Sequence, residues 1–102
     1  MDNHTILIPR WIIDYYLHDM NKSHWAVLEC ISRKTIGRGT ESAPISIAEM
    51  SAFEPGPSKA TVVRVLTELL EKGIIARTHK QMSSGRHLTS WYSISTTPPE
   101  AL

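Results

Sequence analysis

The sequence predicts an α+β domain, mainly α with a small β-hairpin near its C-terminal end. Three observations predict it. Apolar residues recur at helical spacing in several stretches between Pro9 and Lys72. Pro and Gly break those stretches at short intervals. Period-two alternation appears only after Gly73.

At 102 residues the chain is one domain by length, large enough for a core without disulfides or metal. Its 41% hydrophobic and 21% charged residues are ordinary for a soluble globular protein. The longest apolar runs are a few residues, so none reads as a membrane span. The start, MDNHTILIPR, lacks the charged-then-apolar pattern of a signal peptide, and the expected location is cytoplasmic. The single cysteine, Cys30, excludes an internal disulfide and is expected to be buried as a small hydrophobe.

Residues 1–7 form a lead-in, 8–95 the domain and 96–102 a tail of linker composition. Pro9 suits the first turn of a helix. Ile12, Ile13, Tyr16, Leu17 and Met20 then form an apolar stripe, flanked by Trp11 and Tyr15. Asp14 and His18 lie four apart, and a surface contact is a better reading than an acid–base dyad. Ser23 is expected to cap a second helix over about 24–35, with Trp25, Val27, Leu28 and Ile31 as core candidates. The basic, glycine-terminated end Arg33–Gly39 suits the negative end of a helix dipole better than it suits a nucleic-acid-contacting edge. Thr40–Ala43 reads as loop and Pro44-Ile45 as a short edge strand.

The most informative stretch is Ile45–Ile75. Ser46 and Glu49 have capping-box spacing, so a helix should start there. Phe53-Glu54-Pro55-Gly56-Pro57 cannot continue it, because proline lacks an N–H and disfavours αR in the residue before it. Ser58 offers a second N-cap. Val62, Val65, Leu66, Leu69 and Leu70 define one buried face, and Gly73 supplies the stop. Two helices joined by a turn make a helix-turn-helix. The opposite face of the second helix carries Lys59, Ala60, Val63, Arg64 and Thr67. Its polar members reach phosphates or base edges, while Ala60 and Val63 permit close approach to a thymine methyl. Taken alone, this pattern is matched evenly by a plain solvated helix face.

The next residues shift that balance. Ile74–His79 reads as a strand, Lys80–Arg86 as a polar turn, and His87–Ile94 as the return strand. A helix-turn-helix followed by a basic-tipped hairpin is the winged helix-turn-helix arrangement. The expected partner is double-stranded DNA, with helix 58–72 in the major groove and the 79–87 wing on the backbone or minor groove. The candidate DNA-binding residues are Ser58, Lys59, Ala60, Thr61, Val63, Arg64, Thr67, Lys80 and Arg86. The charge agrees in sign: residues 1–54 carry a net −2 and residues 55–102 a net +3.

No cofactor or enzymatic chemistry is indicated. His4, His18, His24, His79 and His87 show no metal-ligand spacing, although His79 and His87 would face each other in some hairpin registers. There is no phosphate-binding glycine loop and no nucleophile elbow.

Ile8-Pro9, Arg33-Lys34-Thr35-Ile36-Gly37, Ile45–Met50 and Ser58–Ile75 resemble the N-terminal DNA-binding domain of the phage replication protein O family. The resemblance spans about residues 8–78 and implies an origin-binding domain that recognises repeated sites and helps assemble a replisome. In that family, helicase-loader contacts lie in a second domain, which this sequence lacks. The turn Glu54–Pro57 is longer than the usual connection of the T-G-L-S type, which would move the start of the recognition helix relative to DNA. A phage or plasmid transcriptional regulator would use the same binding physics. A protein-interaction winged helix is the third reading, kept open by low net charge and by Trp11, Tyr15 and Trp91. A homodimer would use residues 9–20.

Overall fold

The computed structural model describes residues 8–16, 18–53, 56–81 and 88–99. Among them are four α-helices and one three-stranded antiparallel sheet, an α+β arrangement. In chain order these are α1 (Arg10–Tyr16), α2 (Lys22–Lys34), a 3₁₀ turn (Ile36–Arg38) and β1 (Ala43–Pro44), then α3 (Ile47–Ala52), α4 (Lys59–Glu71), β2 (Ile75–Gln81) and β3 (Leu88–Ile94).

Helix α1 begins just after Pro9 and ends at Tyr16, shorter than the 9–20 span expected from its stripe. Ile12 and Trp11 are buried, Ile13 and Tyr16 are half-buried, and Leu17 lies outside the described residues. Asp14 pairs with Arg10 at 3.6 Å rather than with His18.

The second helix departs from expectation at its start. Its N-cap is Asn21, not Ser23, which sits inside the first turn. Asn21 Oδ1 accepts from the backbone N–H groups of both Ser23 and His24, so the amide satisfies two orphan donors where a serine hydroxyl at position 23 would open the helix too late. The imidazole of His24 returns the bond by accepting from the Asn21 backbone N–H, at 3.2 Å. This is a capping box with histidine in the place of Glu or Gln. Val27, Leu28, Cys30 and Ile31 are buried as predicted, whereas Trp25 is half-buried.

At the other end, Thr35 is buried and nucleates the 3₁₀ turn. Its hydroxyl donates to the Ile31 carbonyl at 2.8 Å, and its own carbonyl accepts the N–H groups of Arg38 and Thr40. Gly39, at φ 72°, closes the turn in the left-handed region that favours glycine. The segment Arg33–Gly37 is therefore built around a structural threonine.

Ser46 and Glu49 form the expected capping box at α3. Ser58 Oγ accepts from the Thr61 N–H and caps α4. Val62, Val65, Leu66 and Leu69 of α4 are at most 2% exposed and pack into the core with Leu28, Ile31 and Met50. Full burial of each such side chain contributes about 1.5–3 kcal/mol before entropy is counted. Truncating Leu69 alone to alanine would cost about 2–5 kcal/mol.

The sheet order is β1-β3-β2. Ala43 pairs with Tyr92, and Ile75 with Ile94, which sets these apolar side chains on the core face. The strand β2 runs to Gln81, so Lys80 is a strand residue rather than part of the turn. Residues 82–87, including the expected turn with Arg86 and His87, lie outside the described residues. The β3 end is tied down from both sides. The Ser95 N–H donates to Ile74, and the Trp11 indole N–H donates to Ser95.

Candidate nucleic-acid interface

The surface of interest is the side of α4 turned away from the core. Helical geometry puts Lys59, Ala60, Val63, Arg64 and Thr67 there, and all five are exposed. Val63 is 49% exposed, so the face presents a small apolar strip among polar groups. Lys59 has no ion-pair partner among the described residues.

Other predicted side chains are already engaged. Ser58 Oγ donates to Thr61 Oγ1 at 3.0 Å while accepting the Thr61 backbone N–H, so the two hydroxyls form the helix cap. Thr67 donates to the Val63 carbonyl at 3.1 Å, a back-bond typical of threonine inside a helix. Lys80 is placed in β2 opposite Thr89 by its backbone alone. Arg86 lies outside the described residues.

Arg64 is held from one side. Its Nη1 lies 3.3 Å from Glu68 Oε2, one turn along the helix. The other oxygen, Glu68 Oε1, lies 2.5 Å from Nε2 of His24, whose side chain is only 7% exposed. The His24 hydrogen bond first, and the nearby Arg64 charge with it, hold the Glu68 carboxyl below the usual carboxylate range. The buried histidine is the residue that sequence reasoning missed. Asn21 and His24 at capping-box spacing were its only signal, because histidine rarely fills the return position.

Side-chain contacts also tie the end of α2 to α3 and to Phe53 just after it. Lys34 Nζ lies 2.8 Å from Glu49 Oε2, joining the end of α2 to α3. That bond, with the capping contact from Ser46, lowers the Glu49 pKa. Arg33 pairs with Glu29 at 2.9 Å and lies over the Phe53 ring, 5.6 Å from its centroid. Both basic residues at the end of α2 are thus committed to intramolecular contacts. On the sheet, Arg77 and His79 are exposed on β2, and His79 Nδ1 lies 3.1 Å from Ser90 Oγ. Trp91 is half-buried, Trp11 is buried and Tyr15 is 56% exposed, so the aromatic patch reduces to Tyr15.

Among the described residues, no group of three His, Cys, Asp or Glu side chains could hold a metal ion, and no helix is long and apolar enough to cross a membrane. Compared with protein-family profiles, with curated proteins and with solved structures, the chain has no significant match.

Proposed function

We propose that the protein is a winged helix-turn-helix that binds double-stranded DNA with sequence preference. In this reading α3 and α4 are the helix-turn-helix, α4 enters the major groove, and the β2–β3 hairpin is the wing along the phosphate backbone. The observation that carries it is the exposed face of α4. Lys59, Ala60, Val63, Arg64 and Thr67 form a strip of cations, small side chains and a hydroxyl on a helix whose other face is fixed in the core. Sheet order β1-β3-β2, with the hairpin directly after α4, supports the same arrangement. The +3 balance of residues 55–102 supports a polyanionic partner.

Each group has a chemical role. Lys59, in the first turn, neutralises a phosphate. Arg64 donates in pairs to the acceptors of a guanine edge. Val63 and Ala60 give apolar contact to a thymine methyl. The resemblance of Arg33–Gly37 and Ser58–Ile75 to the replication protein O family directs the biological role towards replication-origin recognition.

The test is selection from a random duplex library, then affinity against salt for the winner and a scrambled duplex. A shared consensus, with a log–log salt slope of roughly −0.9 per phosphate neutralised, is the expected result. Equal weak binding to every sequence sinks the reading.

A further inference from the structure

We infer that Glu68 is a positioning residue for base reading, transmitting the fixed position of His24 in α2 to the guanidinium of Arg64. The inference rests on the DNA-binding reading above and deepens it.

Arg64 has a long, flexible side chain on an exposed helix face. Left free, it would lose much rotamer entropy on docking, and a guanidinium discriminates bases only when its fork is correctly oriented. Here the fork is not free. Arg64 Nη1 donates to Glu68 Oε2 at 3.3 Å, leaving its other N–H groups for a base edge. Glu68 would itself be mobile on a helix surface, yet its second oxygen is held 2.5 Å from His24 Nε2.

The imidazole is the fixed end of the chain. It is buried, and Nδ1 lies 3.2 Å from the Asn21 backbone nitrogen and 2.9 Å from Asn21 Oδ1. Asn21 thus meets Nδ1 with both a donor and an acceptor, fixing the ring from the side opposite Glu68. The series runs from the N-cap of α2 through a buried ring and a shared carboxylate to an exposed cation. A surface pair at Arg64–Glu68 alone would contribute little to stability. The value of this one lies in the geometry it imposes on Arg64.

Glu68→Gln separates the two halves of the contact. The amide oxygen still accepts the His24 Nε2–H, while the amide NH₂ turned towards Arg64 cannot accept from it. Wild type, Glu68→Gln, Glu68→Ala, Arg64→Ala and the Arg64→Ala/Glu68→Gln double variant would each be taken through duplex selection. Folding would be checked by circular dichroism, and scrambled-duplex affinity measured alongside. The expected result is that Glu68→Gln keeps a folded protein but loses discrimination about fivefold or more at the base position that Arg64→Ala relaxes. Discrimination elsewhere stays intact, and the double variant is no worse than Arg64→Ala alone. Unchanged discrimination in Glu68→Gln overturns the inference while leaving DNA binding in place. So does relaxation at other positions, or an additive double variant. No consensus from the wild type overturns the DNA-binding reading and this inference with it.

Discussion

Trp11 on α1 donates its indole N–H to the carbonyl of Ser95, just past β3, at 2.8 Å, joining the two ends of the folded chain. The Ser95 backbone N–H in turn donates to the Ile74 carbonyl at the start of the hairpin. Helix α1 is only 7 residues long, too short to hold itself by helix propensity. Trp11→Phe keeps an aromatic ring but removes the donor, and it should lower stability by about 1–3 kcal/mol. Urea unfolding followed by circular dichroism measures this. An unchanged midpoint would show that the ends are held by other contacts.

Gly56 sets the geometry of the turn before α4. A Cβ at this position would lie 1.8 Å from the Ser51 carbonyl oxygen, a backbone atom that cannot move without shifting α3. Ser51 Oγ already donates to the Pro57 carbonyl at 2.7 Å, closing the same turn from the other side. Gly56→Ala should therefore cost roughly 1–3 kcal/mol through overpacking and weaken DNA binding by displacing the N-terminus of α4. Gly39→Ala is the control, since nothing lies within 4 Å of its added Cβ. It retains only the left-handed backbone penalty of about 1–2 kcal/mol. A Gly56→Ala protein that melts at the wild-type temperature would remove the steric account.

The helix boundaries most legible in the sequence were those set by local chemistry. Ser46 with Glu49, Ser58 and Gly73 each act through a neighbour within a few residues, so spacing alone revealed them. The α4 core face was equally plain because Val62, Val65, Leu66 and Leu69 follow the helical period. The start of α2 is ambiguous in the sequence because Asn21 and Ser23 are both good caps, and only the folded chain shows that the N–H groups of Ser23 and His24 point to Asn21. The candidate site was legible as a face but not as a network. His24 and Glu68 lie 44 residues apart, and no periodicity links residues on two helices.

Two carboxylates make the fold sensitive to acid. The Lys34 bond, chiefly, holds the Glu49 carboxyl below its ordinary range, and the His24 bond does the same for Glu68. A depressed folded-state pKa adds stability above the unfolded value, and that stability is lost as pH falls through the folded value. Thermal midpoints should therefore hold steady down to about pH 4.3, the ordinary Glu value, and drop below it. Glu49→Gln should flatten part of that drop. A midpoint curve with the same acid slope in wild type and variant would rule Glu49 out as a contributor.

Cys30 reports on core opening. It is 1% exposed, and burial, the largest effect, pushes its thiol above the ordinary range. The thiolate is the reactive form, so the folded protein should react slowly with a thiol reagent at neutral pH and rapidly in denaturant. With opening and closing faster than labelling, the rate should track the fraction open, and Leu69→Ala should accelerate it in step with its loss of stability. A native-state rate close to the denatured rate would mean that α2 does not bury this side chain.

Lys59 and Arg64 should fail in different ways. A phosphate contact carries charge but no sequence information, so Lys59→Ala should weaken binding to all duplexes alike and reduce the magnitude of the log–log salt slope by about 0.9. A base contact carries both, so Arg64→Ala should cost about 1–3 kcal/mol on the selected site and relax one base position. The difference follows from where they sit on α4. Lys59 is in the first turn with no ion-pair partner among the described residues, and Arg64 lies further along the helix, braced by Glu68. Competition titrations with single-base variants of the selected duplex, at two salt concentrations, separate the two behaviours. If both substitutions weaken all sequences equally, Arg64 is a second phosphate contact, and base reading falls to Ala60, Val63 and Thr67.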